Sequence, residues 1–79
     1  MEGWRVMELY KFEGKYVHII DADGEEFTGR VGDYVWEDEN EDFGCDAIIL
    51  DNPTRGDGYQ YENPVQFNSS DIVSIKVLE

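Results

Sequence analysis

Hydrophobic and polar positions alternate with a period of two along most of this chain. Val17 and Ile19 flank His18, while Phe27, Gly29 and Val31 flank Thr28 and Arg30. This spacing describes strands with one buried and one wet face. Asp23-Gly24 lies between the two arms, and an Asp-Gly pair in that place predicts a hairpin closed by a two-residue type I′ turn. The first strand is expected over Tyr16 to Asp21 and the second over Glu25 to Trp36. Gly29 and Gly32 fall inside the second strand and mark where a long strand bends. The run Ala47-Ile48-Ile49-Leu50 carries a third strand over Cys45 to Asp51, which Asn52-Pro53 ends. Arg55-Gly56-Asp57-Gly58 supplies turn residues. Tyr59, Tyr61, Val65 and Phe67 keep the alternation through a fourth strand. After the polar junction Asn68-Ser69-Ser70-Asp71, Ile72 to Leu78 form a fifth.

Ahead of the strands the spacing changes. Trp4 and Met7, and again Leu9 and Phe12, stand three apart, which suits a short N-terminal helix over residues 3–13 with one apolar face. Gly14 follows as its stop. The expected fold is therefore mostly β: one domain, residues 1–79, built as a small, strongly bent, five-stranded open barrel of the SH3 type behind a short helix.

Composition narrows the partners more than the fold. Hydrophobic residues make up 41% of the 79 positions, enough for a core in a single small domain. Charge is lopsided, with 19 acidic against 6 basic side chains and a formal net charge of −13. Such a surface repels nucleic acid and anionic membranes. Cys45 is the single cysteine, so no internal disulfide forms and a reducing compartment is expected. The sequence has no apolar run long enough for a membrane span and no basic start with an apolar signal core at Met1-Glu2-Gly3. Cytoplasm is the expected location.

Candidate chemistry is sparse. His18, the one histidine, should lie on the strand face opposite Val17 and Ile19, as a surface or rim residue without an orienting partner for general-base work. Cys45 has Asp42 and Asp46 beside it, and those charges should raise its thiol pKa. No pair or triad assembles, so no enzyme activity and no cofactor is expected. Residues 37–44 form an acidic, solvated loop. Within it Asp38, Asn40 and Asp42 reproduce the first three ligand positions of an EF-hand. Phe43 stands where that motif needs glycine and Ile49 where it needs glutamate, which leaves only a weak metal candidate. Arg55-Gly56-Asp57 reads as a turn.

Taken together, the segments from Leu9 to Leu78 resemble the Sm and Sm-like (LSm) proteins. The family's helix ends in a pattern matched here by Leu9, Phe12, Gly14 and Lys15. Its first motif is matched by Val17, Ile19, Asp23, Gly24, Phe27, Gly29 and Val31, and its second in part by Phe67, Ile72 and Ile75. The departures fall where the family contacts RNA. Val35-Trp36-Glu37-Asp38 occupies the place of Asp-x-apolar-Asn, and Asn68-Ser69 replaces Arg-Gly. A divergent member is implied, without the planar cation that stacks on or forks to a nucleotide.

The resemblance implies a ring former whose fourth and fifth strands pair between copies, a heterologous contact that closes by rotation. Val73, Ile75 and Val77, with Val65 and Phe67 across from them, are the expected interface. The leading reading is thus a non-catalytic, homo-oligomeric scaffold or binding module. Two alternatives accompany it. One is an RNA binder with atypical contacts, using Tyr34, Trp36, Asn68 and Arg30, with Tyr59, Tyr61, Lys15 and Arg55 as further platforms and cations, although the charge disfavours it. The other is a monomeric small-barrel module that reads a basic or proline-rich peptide.

Overall fold

The protein is described by a computed structural model covering residues 8–40, 42 and 44–78. Five strands form one antiparallel sheet: β1 Tyr16–Asp21, β2 Glu26–Val35, β3 Ala47–Arg55, β4 Val65–Asn68 and β5 Ile72–Val77. Their order across the sheet is β4-β3-β2-β1-β5, so β4 and β5 are its edges. A 3-10 turn, Leu9–Phe12, precedes β1. The expected helix over residues 3–13 is thus a single tight turn where it is described, and Trp4 and Met7 lie outside the described residues. Gly14 ends the turn at φ +83°, as its place in the sequence predicts. No helix among the described residues is long and apolar enough to cross a membrane.

The period-two pattern becomes a core. Val17, Ile19, Phe27, Val31, Ile48, Leu50, Phe67 and Ile72 are buried together, with Leu9 of the 3-10 turn closing one end. The Phe27 and Phe67 rings meet at 4.9 Å between centroids although β3 separates their strands in the sheet. That contact measures how strongly the sheet curls, since neighbouring strands alone are already almost that far apart.

Two opposed irregularities produce the bend. Between the pairs Val31↔Leu50 and Asp33↔Ile49 the register shifts, with Gly32 as the extra residue on β2. Between Thr28↔Thr54 and Arg30↔Asp51 the extra residue is on β3, in the Asn52-Pro53 stretch opposite Gly29. Here the sequence reading needs correction, because Asn52-Pro53 does not end β3. Asn52 adopts a left-handed φ of 47°, Pro53 is buried, and the strand continues to Arg55. A proline is tolerated in a strand where a bulge relieves it of ladder bonding. Gly29 makes the approach feasible, since a Cβ there would lie 3.2 Å from Pro53 Cα.

Two other expectations also change. The β1–β2 turn is not type I′. Among described residues Gly24 is the only one in it with positive φ, at +84°, and Gly24 N–H donates to Asp21 O at 2.9 Å. This is a three-residue loop, a type I turn completed by a left-handed glycine. The Asp21 carboxylate steers it by accepting from the N–H groups of Asp23 and Glu25, both at 2.9 Å. The fourth strand is also shorter than the alternation suggests. Tyr59 and Tyr61 lie in a loop that folds back on the end of β3 through an isolated bridge, Thr54↔Gln60. β4 begins only after Pro64, at Val65.

Candidate functional site

The β2–β3 loop and the β4–β5 turn come together at one end of the sheet, and polar side chains join them. Asn40, from the acidic loop, is buried. Its Nδ2 donates to Cys45 O at 2.8 Å and to Asn68 Oδ1 at 3.0 Å. Gln66 Nε2 donates to the same Asn68 oxygen at 3.0 Å and to Asn40 Oδ1 at 3.4 Å. Ser69 N–H donates to Asp46 O at 2.8 Å. A run of carboxylates would drift into water on its own account; these bonds hold it, because a buried amide left without partners is costly.

Cys45 sits at the same junction, half-buried, with its Sγ 3.6 Å from Ser70 Oγ. Burial acts to raise its pKa, but hydrogen bonds from Ser70 and Ser69 to the sulfur outweigh it and the pKa is lowered. This reverses the expectation drawn from Asp42 and Asp46. Nearness in sequence overstated their effect, and the serines are neighbours only in the fold.

An aromatic ridge runs along the side of this loop cluster. Tyr10, Tyr34 and Trp36 stack edge to face, with centroids 6.2 Å and 5.0 Å apart. The Tyr34 hydroxyl donates to Asp46 Oδ2 at 2.6 Å. Burial, then this carboxylate, pushes the Tyr34 pKa up to about 12. Trp36 remains 58% exposed at the outer end of the ridge. Glu37, Asp38 and Gly44 line a shallow depression with it.

The four residues proposed for nucleotide contact are not one site. Tyr34 and Trp36 stand in the ridge, and Asn68 is buried with its side-chain oxygen already accepting two bonds. Arg30 is directed to β1 and the stretch before it, donating from Nη1 to Gly14 O at 2.8 Å and lying over the Tyr16 ring. Arg55 is held at the far end of the barrel. It forks to Asp57 at 3.2 and 3.0 Å and covers the rings of Tyr59 and Tyr61. Arg55-Gly56-Asp57 is thereby a self-paired turn. Lys15 is exposed just ahead of β1.

The metal candidate Asp38, Asn40 and Asp42 does not converge, because the Asn40 amide is turned into the protein. Among described residues no group of three metal-ligating side chains forms. His18 lies on the outer face, Nε2 within 2.9 Å of Glu26 Oε1. Of the five edge candidates, Phe67 belongs to the core and Val65 and Ile75 are half-buried against it. Val73 and Val77 are exposed, at 64% and 42%. The sequence reading missed Tyr10 as part of the ridge and Asn40 as a clamp. Tyr10 falls outside the spacing-of-three pattern of Leu9 and Phe12, and nothing local distinguishes a clamping asparagine from a solvated one.

Among the solved structures similar to this chain are two that cover nearly all of it. A Sm-like archaeal protein from Pyrobaculum aerophilum matches over 91% of it at 26% identity and TM-score 0.67. The match spans 49% of that protein, so this chain corresponds to about half its length. A chain in the crystal structure of the NatC complex bound to CoA matches over 96% of this one and 91% of its own length, at 10% identity and TM-score 0.66. At that identity the likeness is one of fold. No protein-family model and no curated protein matches the chain.

Proposed function

Because this chain has the Sm-like fold, we propose that it is a non-catalytic assembly module whose two sheet edges are covered by further copies of itself, β5 of one against β4 of the next, in a closed ring. One observation carries the reading. The sheet is open, its borders are β4 and β5, and the outer border strand presents Val73 and Val77 to water. An unpaired, β-branched edge is a template for another strand, and a contact between two different edges closes by rotation. Val73 is the more telling of the two. It sits where the register against β1 shifts between Ile20↔Ser74 and Asp21↔Ile72, so the ladder inside the subunit does not use it.

Light scattering combined with size exclusion at micromolar protein tests the proposal. The expected result is a mass several times 9.2 kDa, and a strict monomer overturns it. Val73→Glu should yield a folded monomer by placing a charge in the contact. A proline at Ile75 is a poorer test, because Ile75 pairs with Ile19 on β1 and the barrel itself would suffer.

A second reading places a different protein on the edges. It is supported by the net charge of −13, which each added copy multiplies. RNA binding has less behind it. Asn68 is buried and Arg55 is neutralised by Asp57, so the loops offer phosphates carboxylates in place of cations.

A further inference from the structure

The aromatic ridge carries a separate inference that does not depend on the ring. We propose that the Tyr10–Tyr34–Trp36 ridge, with Glu37 and Asp38 beside it, docks an arginine-bearing segment of a partner protein. Single exposed aromatics are ordinary on protein surfaces. Here three rings stand edge to face, and the outermost, Trp36, leaves 58% of its surface to water. Tryptophan is the residue most favoured at binding hot spots and presents the best ring for a cation.

Charge selects the occupant. Trp36, Glu37, Asp38 and Gly44 line one depression, so two carboxylates flank the indole and the glycine leaves room beside it. Among described residues no lysine or arginine pairs with either carboxylate. Lys11 pairs with Glu8, and Arg55 pairs with Asp57. A guanidinium suits this surface better than an ammonium, because one flat group can stack on the indole and fork to a carboxylate at once. Acidic peptides and phosphate backbones meet repulsion there.

The surface is also held ready. Asp46 fixes the Tyr34 hydroxyl at 2.6 Å, and buried Asn40 ties the acidic loop to Asn68 at 3.0 Å. A preformed surface loses less freedom on binding than a floppy one.

Fluorescence anisotropy on the full chain tests the proposal, with a short fluorescein-labelled peptide in which serine and glycine space the arginines. Its lysine and glutamate counterparts, and U-rich and A-rich RNA oligonucleotides, are the comparisons. The arginine peptide should bind best. Trp36→Ala should weaken it by roughly 5- to 30-fold, with Trp36→Phe in between. The pair Glu37→Gln and Asp38→Asn should weaken it several-fold. Glu25→Gln with Glu62→Gln removes the same charge away from the ridge and should change binding less than about twofold, since screening shortens the reach of distant charges.

Equal losses for the ridge and distant variants would overturn the proposal, by reducing the effect to general attraction to a polyanion. So would tighter binding of RNA, or a change in assembly mass on Trp36→Ala, which would assign the ridge to a contact between copies. Thermal melts of each variant show that the barrel persists. Because Trp36 is exposed, no loss of fold is expected.

Discussion

Asn40 and Asn68, 28 residues apart in the chain, meet through their side-chain amides at 3.0 Å inside the protein. Both are buried, and the pair joins the most acidic loop to the turn between the two edge strands. Asn40→Ala removes a donor to two acceptors, Cys45 O and Asn68 Oδ1. The expected cost is about 1–3 kcal/mol, the usual penalty for stranding buried polar groups. Urea denaturation measures it. Hydrogen exchange should show that the backbone amides of the loop lose protection well before those of β1 and β2. An unchanged midpoint and unchanged loop protection would show that the amides do not hold the loop.

The two glycines of β2 should respond differently to the same substitution. A Cβ at Gly29 would press on the backbone Cα of buried Pro53 at 3.2 Å, while meeting buried Leu50 Cδ1 at an ordinary contact distance of 3.5 Å. At Gly32 the obstacle is the Asp51 carboxylate, the free end of an exposed side chain that can swing away. Gly29→Ala should cost about 1–3 kcal/mol, as overpacking of a tight interior does. Gly32→Ala should cost less than about 1 kcal/mol. Comparing their denaturation midpoints checks the order, and a reversed order would contradict the geometry.

How far the sequence disclosed this fold depends on how local each cause is. β1 follows the alternation Val17-His18-Ile19 to the residue, because burial of one face needs nothing but period two. The β1–β2 hairpin was placed correctly by Asp23-Gly24 and given the wrong turn type. Asp21, outside the pair, supplies the carboxylate that organises a longer loop. β3 outran its expected end because Asn52-Pro53 is a stop in isolation and a bulge when Gly29 faces it. The candidate site was less legible for the same reason. Asp38-x-Asn40-x-Asp42 looks like a ligand series along the chain, yet the fold turns its middle member inward to Asn68. The serines that lower the Cys45 pKa arrive from another turn entirely. Exposed Trp36, by contrast, could be named from the sequence alone, because it closes an alternating run and opens an acidic one.

The Cys45 thiol offers a direct measure of the junction between the two loops. Hydrogen bonds from Ser70 and Ser69 hold its pKa below the ordinary thiol value against the opposing effect of burial. Alkylation by iodoacetamide follows the thiolate fraction. Its pH midpoint should therefore lie below that of a free cysteine, and Ser70→Ala should move it upward. Unfolding in urea should return it to the ordinary value. A midpoint that Ser70→Ala leaves in place would sever the link between Cys45 and the β4–β5 turn.

Alkaline pH tests the inner part of the aromatic ridge. Tyr34 donates its hydroxyl to Asp46, and burial followed by that carboxylate raises its pKa from 10.0 to about 12. The folded chain therefore holds this proton more tightly than the unfolded chain. The resulting stability is fully present below pH 10 and is lost as pH rises through about 12. Absorbance at about 295 nm should show a late-ionising phenol that disappears in Tyr34→Phe. At neutral pH that variant should be less stable by about 1–2 kcal/mol, because the half-buried Asp46 loses a charge-assisted donor. Its stability should also fall less steeply above pH 10 than that of the unsubstituted chain. Parallel curves for the two proteins across that window would mean that Tyr34 titrates as an ordinary surface phenol and that the ridge is not anchored at Asp46.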